Sequence, residues 1–170
     1  MGDRGQSLSS RGRETTPQHV LLIGCVGEKS AFSAPARDLY VSTLFRLRRA
    51  YADGVGLPWY ILSAKHGAID PVEIIAPYDI RLSGLSAADR RAWGAKVFGQ
   101  LETMLGALCG RTFEFHAGKS YVEVVRPSLD AAGARVVWPD TTASGYEPIV
   151  LTPEAAADLR IIAELVAVLG

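Results

Sequence analysis

Four short apolar runs, each set between segments of helical period, constrain the fold of this chain more than any other feature. His19-Val-Leu-Leu-Ile-Gly-Cys-Val26 stays apolar on both of its alternating sides after His19. A strand of that kind must be buried on both faces, the habit of parallel sheets covered by helices. Pro58-Trp-Tyr-Ile-Leu-Ser-Ala64, Thr112-Phe-Glu-Phe-His-Ala117 and Ala134-Arg-Val-Val-Trp138 supply three more strands. Between them, Ala36 to Ala52 carries Leu39, Tyr40, Leu44, Leu47 and Tyr51 near helical spacing and ends at Gly54. Ser86 is a good N-cap for a helix to about Leu108, with Asp89 in the capping-box position and Gly110 as the stop. Ser120 to Ala132 reads as a helix interrupted or shifted at Pro127 and closed by Gly133, whereas Lys65 to Ser83 has no period and reads as loop. Thr152-Pro153 opens a last helix to about Leu169.

Strands alternating with helices predict a three-layer, Rossmann-like α/β domain with a mainly parallel sheet of four or five strands, occupying residues 18–170. Residues 1–17 are rich in Gly, Ser and Arg with almost nothing to bury, and are expected to form a disordered tail. The final helix is more apolar than one buried stripe requires, which fits either deep packing in the sheet or the seam of a homodimer.

Composition narrows the function. The 18 basic and 18 acidic residues cancel, so no global field draws the chain to nucleic acid or membrane. No apolar run approaches the roughly 20 residues of a membrane span, and the N-terminus lacks a signal-peptide core, so a cytoplasmic protein with no membrane partner is expected. Two cysteines, Cys25 and Cys109, are too few for a disulfide framework or a four-ligand zinc site. No metal and no cofactor is expected.

In open α/β sheets the ligand crevice lies beyond the carboxyl ends of the strands. The first strand leads into Cys25, Glu28 and Lys29; the second into Ser63, Lys65 and His66, with Asp70, Tyr78 and Asp79 further on; the third into His116, Gly118, Lys119 and Tyr121. Arg is the default cation here, yet three of the four lysines fall in these segments. The plain alternatives are a small buried thiol at Cys25, solvated lysines, and turn chemistry at Asp70-Pro71 and Tyr78-Asp79. Gly118-Lys119-Ser120 is not a phosphate loop, because position 113 is Phe where that loop needs Gly. It still offers backbone N–H groups at a helix N-terminus. Arg37, Arg46, Arg48 and Arg49 make the first helix basic, as a solvated face or as a phosphate-tracking surface.

Several strings resemble a bacterial and phage domain family of unknown function. They are Cys25-x-x-x-Lys29, then Ala36-Arg-Asp-Leu-Tyr40-x-Ser42-x-x-Phe45, then Trp59-Tyr-Ile-Leu-Ser-Ala-Lys-His-Gly67, then Pro77-Tyr-Asp79 and Ala117-Gly118-x-x-Tyr121. The resemblance spans about residues 20–130. That family is in turn distantly similar to YaaA-type peroxide-stress proteins and to a domain of archaeosine synthase, and its general shape is reminiscent of uracil-DNA glycosylases. The archaeosine-type motif has Cys-Ser before its Lys, where this chain has Cys25 followed by Val26 and Gly27.

The resemblance implies a nucleobase-directed enzyme that acts on a nucleotide, a nucleoside or a modified base, with nucleic acid as an alternative partner. Cys25 would be the nucleophile, or Asp79 or Asp70 the general acid/base, with His66 assisting. Lys29, Lys65 and the helix N-terminus at Gly118, Lys119 and Ser120 would hold phosphate or carboxylate, and Tyr40, Ser42, Ser63, Tyr78, His116 and Tyr121 would complete the pocket. The chemistry would be N-glycosidic cleavage or attack on an electrophilic carbon such as a nitrile. A non-catalytic nucleic-acid or nucleotide-binding stress protein is the second reading, and a small-molecule hydrolase or transferase unrelated to bases the third.

Overall fold

The computed structural model describes residues 18–138, so the expected tail over 1–17 and the last helix after Pro153 lie outside the described residues. Strand β1 (His19–Gly24) takes the centre of a five-stranded sheet, because Val20 to Ile23 have no group that needs water and are fully buried. It pairs in parallel with β3 (Trp59–Ser63) on one side and β6 (Thr112–His116) on the other. Strand β7 (Arg135–Val137) follows β6 in parallel, and β4 (Gly67–Ile69) closes the opposite edge antiparallel to β3. The order is β4-β3-β1-β6-β7, a mixed α/β fold with a mainly parallel sheet and one antiparallel pair.

Alternation along β1 sends its side chains to two cores. Val20 and Leu22 join Trp93, Val97 and Leu101 of helix α3 (Ala87–Leu105) and Val122, Val125 and Leu129 of α4 (Lys119–Ala131). Leu21 and Ile23 join Leu39 of α1 (Ala36–Leu39) and Phe45 and Tyr51 of α2 (Thr43–Val55). Each such burial contributes on the order of 1.5–3 kcal/mol, so strand and helices hold one another in place. Ser86 caps α3 as its sequence suggests: its hydroxyl accepts from Asp89 N at 3.1 Å and donates to Asp89 Oδ2 at 2.7 Å.

Three expectations change. The segment Lys65–Ser83 is not all loop: it holds β4, and also β5 (Ile74–Ile75), which pairs antiparallel with β2 (Ala34–Pro35) in a small ribbon. The single helix expected over 36–52 is broken at Tyr40–Ser42, where Tyr40 is extended and Ser42 starts α2 by accepting from Phe45 N. Pro127 does not interrupt α4, which runs through it to Ala131. Pro127 is exposed, so solvent can satisfy the carbonyl that its missing N–H leaves open. Among the described residues no helix is long and apolar enough to cross a membrane.

Candidate functional site

Beyond the carboxyl ends of β1 and β6 lies a cleft of about 900 Å³, lined by Cys25 to Lys29, Pro77 to Ser83, Ser120 and Tyr121. Two glycines shape its floor. A Cβ at Gly24 would lie 2.9 Å from Ala117 Cβ, so the ends of β1 and β6 approach as closely as they do only because that atom is missing. Gly27 has φ +72, and a Cβ there would meet Ser42 Cβ at 2.7 Å. Ser42 also donates to Val26 O at 2.7 Å, so it braces the loop from behind rather than facing the cleft.

The break between α1 and α2 is what places Lys29. Extended Tyr40 forms a bridge with Lys29, flanked by Ser30 N to Leu39 O and Val41 N to Glu28 O. The Lys29 ammonium then stands 4.4 Å from the centre of the Tyr78 ring, a favourable cation–π position. Lys65 approaches the same ring at 5.8 Å, and the edge of His66 meets it with ring centres 5.3 Å apart.

Cys25 sits at the middle of a set of hydroxyls. Its Sγ lies 3.3 Å from Tyr121 Oη and accepts from Tyr78 Oη at 3.6 Å. Tyr78 Oη is also 2.6 Å from Ser63 Oγ and 2.9 Å from Tyr40 Oη. Ser63 Oγ in turn accepts from His66 N at 3.1 Å. Burial, with the Cys25 sulfur adding to it, pushes the Tyr40 phenol up to about 12. The same causes raise Tyr78 and Tyr121 well above the ordinary phenol value. All three therefore stay protonated through the neutral range and are available as donors. Burial, then the charges of Lys65 and Lys96, lowers His66, which favours its neutral form. Its Nε2 is buried with no partner among the described residues.

The hairpin that presents these groups is fixed from α3. Gln100 Oε1 accepts from Ala68 N at 2.9 Å while its Nε2 donates to His66 O at 3.0 Å. Gly67 takes φ +82 at the turn. Trp93 Nε1 donates to Ser63 O at 2.8 Å, and its ring meets the Tyr121 ring edge-on at 5.4 Å.

The expected site residues thus separate into groups. Cys25, Lys29, Tyr78, Asp79 and Tyr121 share the cleft, while Ser63, Tyr40, His66 and Lys65 stand around Tyr78. Five residues lie elsewhere, Ser42 being the one already described behind the loop. Asp70 is exposed and closes a turn, its Oδ1 accepting from Val72 N at 3.0 Å. Lys119 points to solvent and pairs with Glu123, and Gly118 serves as the N-cap of α4. His116 is fully buried on the α2 side, with its Nε2 2.7 Å from Glu114 Oε1. Ser120, at the expected helix N-terminus, lines the cleft, and Arg81 lines it without having been expected. Arg81 follows the Pro77-Tyr78-Asp79 string on the same wall, which was its one signal in the sequence. Among the described residues no group of three His, Cys, Asp or Glu could hold a metal ion.

A mixed α/β protein with a thiol and a ring of phenols at its strand ends is the class this geometry defines. Residues 20–144 match the model of a family of unknown function, DUF6884, and the chain belongs to that family. Among curated proteins none matches it.

Proposed function

We propose that this protein is a nucleobase-directed enzyme in which Cys25 attacks an electrophilic carbon of a nucleotide or modified base. One observation carries this reading: the Cys25 sulfur lies in the floor of a cleft, within hydrogen-bonding reach of two phenols. The cleft volume, about 900 Å³, is in the range of small-ligand sites. Lys29 and Arg81 supply cations for phosphate or carboxylate, and the N-terminal turn of α4 adds backbone N–H groups at Ser120. The three-layer, Rossmann-like arrangement and the kinship with archaeosine synthase and YaaA-type proteins belong to the same proposal.

N-glycosidic cleavage is the second reading, favoured by one feature: Asp79 is on the cleft wall and is exposed enough to meet substrate. The reading as a non-catalytic binder loses support at the first helices. Arg37 pairs with Asp53, Arg49 pairs with Asp38 and Asp53, and Arg48 donates to Gly24 O, so much of that positive charge is already engaged.

Thermal-shift titration against nucleosides, nucleotides, 7-deazaguanines and oligonucleotides tests the proposal. A ligand at about a hundred times its dissociation constant stabilises by roughly 2.7 kcal/mol. Binding of a base or mononucleotide that Lys29→Ala weakens is the expected result. With the substrate in hand, Cys25→Ser should abolish turnover and Asp79→Asn only weaken it; the reverse would establish glycosidic chemistry. Silence across the panel would remove the nucleobase from the proposal.

A further inference from the structure

Counting hydrogens around Cys25 sets the direction of proton donation. Ser63 Oγ accepts from His66 N, which leaves the serine's own hydrogen to give away. Tyr78 has one phenolic hydrogen and three neighbours, and that hydrogen goes to Cys25 Sγ. The hydrogens of Ser63 and Tyr40 must then both point at the Tyr78 oxygen, at 2.6 and 2.9 Å. The neutral thiol has its own hydrogen to place, and its remaining partner among the described residues is the Tyr121 oxygen at 3.3 Å. Tyr121 lines the cleft, so its phenolic hydrogen is directed at whatever occupies that space. The sequence Ser63, Tyr78, Cys25, Tyr121 is a chain of donors with a single open end. Trp93 braces it at both ends, through Ser63 O and through the Tyr121 ring.

We propose that Tyr121 is a catalytic proton shuttle, and that the site adds the Cys25 S–H bond across an unsaturated carbon–nitrogen bond of its ligand. The inference rests on the nucleophile reading above and names the reaction class within it. As sulfur bonds to carbon, one carbon–nitrogen π pair moves to nitrogen. Tyr121 gives its proton to that nitrogen and takes the thiol's proton in exchange. The S–H bond and one π bond break, an S–C and an N–H bond form, and Tyr121 ends neutral. No oxidant, reductant or outside base is needed. Tyr78 keeps its hydrogen throughout and is a positioning residue, with Ser63 and Tyr40 fixing its orientation.

Two small electrophiles separate this role from a packing role. Iodoacetamide alkylates a thiol by displacement and takes up no proton, whereas 2-cyanopyrimidine must be protonated on nitrogen as the thiol adds. Both are applied to the full chain carrying Cys109→Ser, so that Cys25 is the sole thiol. A positioned general acid contributes about 10²-fold or more. Tyr121→Phe should therefore slow nitrile addition by about that factor and leave alkylation within roughly two-fold. Nitrile addition by the unsubstituted site should also be slower in heavy water, a solvent effect that Tyr121→Phe abolishes. That second measurement keeps the test decisive if the variant folds poorly. Equal slowing of both probes, or of neither, would overturn the shuttle while leaving Cys25 a nucleophile. Failure of both probes to label Cys25 would overturn the nucleophile reading itself.

Discussion

Among the described residues, two polar clusters on the α1 and α2 face of the sheet are built on opposite plans. At the cleft, hydroxyls converge on Cys25 and the chain ends in open space at Tyr121. Beneath α2, donors converge on the Glu114 carboxylate: His19 at 3.0 Å, His116 at 2.7 Å and Tyr51 at 3.0 Å. Glu114 is 2% exposed and His116 1%, so no ligand reaches them. A buried carboxylate that is so fully bonded is a structural anchor. A set of donors with a free end is a place for chemistry.

The largest effect expected from this contrast is on stability. Glu114→Ala strands its partners in the core and should cost about 3–5 kcal/mol in urea unfolding, while leaving the labelling of Cys25 in the remaining folded protein unchanged. A cost no greater than that of Ser63→Ala would erase the distinction. Gly67→Ala comes next. It forces a side chain into φ +82 and onto Gln100 Oε1, for about 1–3 kcal/mol, and should loosen the hairpin behind Tyr78. Hydrogen exchange at Ala68 N reads that loosening directly.

Ser63→Ala should cost only about 1 kcal/mol, yet it frees the Tyr78 hydrogen to turn away from sulfur and so should change the rate at which Cys25 is labelled. A variant that loses stability without altering the thiol would break the comparison from the other side. At the low end, Lys119→Ala removes an exposed pair with Glu123 and should shift stability by less than about 0.5 kcal/mol, with labelling unaltered.

Acid unfolding sharpens the same contrast. Burial alone would raise Glu114, but the hydrogen bonds from His116 and Tyr51 and the nearby His19 outweigh it and hold the carboxyl below its ordinary value of 4.5. The unfolded chain therefore takes up this proton first as pH falls. The stabilisation is fully present above about pH 4.5 and is lost as pH drops through the folded value. Glu114→Gln should flatten that acid limb in a series of urea titrations, whereas Cys25→Ser should leave it as it is.

Strands were the legible part of this fold, because a short, β-branched apolar run such as Val20 to Ile23, ended by Gly24, reads as a strand buried on both faces. Strand β4 was illegible for the converse reason: Gly67, Ala68 and Ile69 are too few to show alternation, and Gln100, 31 residues beyond Ile69, holds the turn. The site was legible as a set of strand-end residues but not as a partition. His116 and Tyr121 are five residues apart, yet the pleat turns one against Tyr51 of α2 while α4 carries the other to the cleft. Lys119 lies beside Ser120 at the same helix start and still faces away, because successive helical residues are about 100° apart.

Gly24 has a consequence for how such a protein can diversify. The spacing between Cys25 and Tyr121 depends on the close approach of Gly24 to Ala117, whereas Glu28, Asp79, Ile80 and Arg81 stand on exposed segments across the opening. In the proposed reaction, reactivity and selectivity are thereby written in separate parts of the chain. Substitutions confined to the outer wall would change what the cleft admits without moving Cys25 or Tyr121, while a single methyl added at position 24 would force those two residues apart whatever the wall carries.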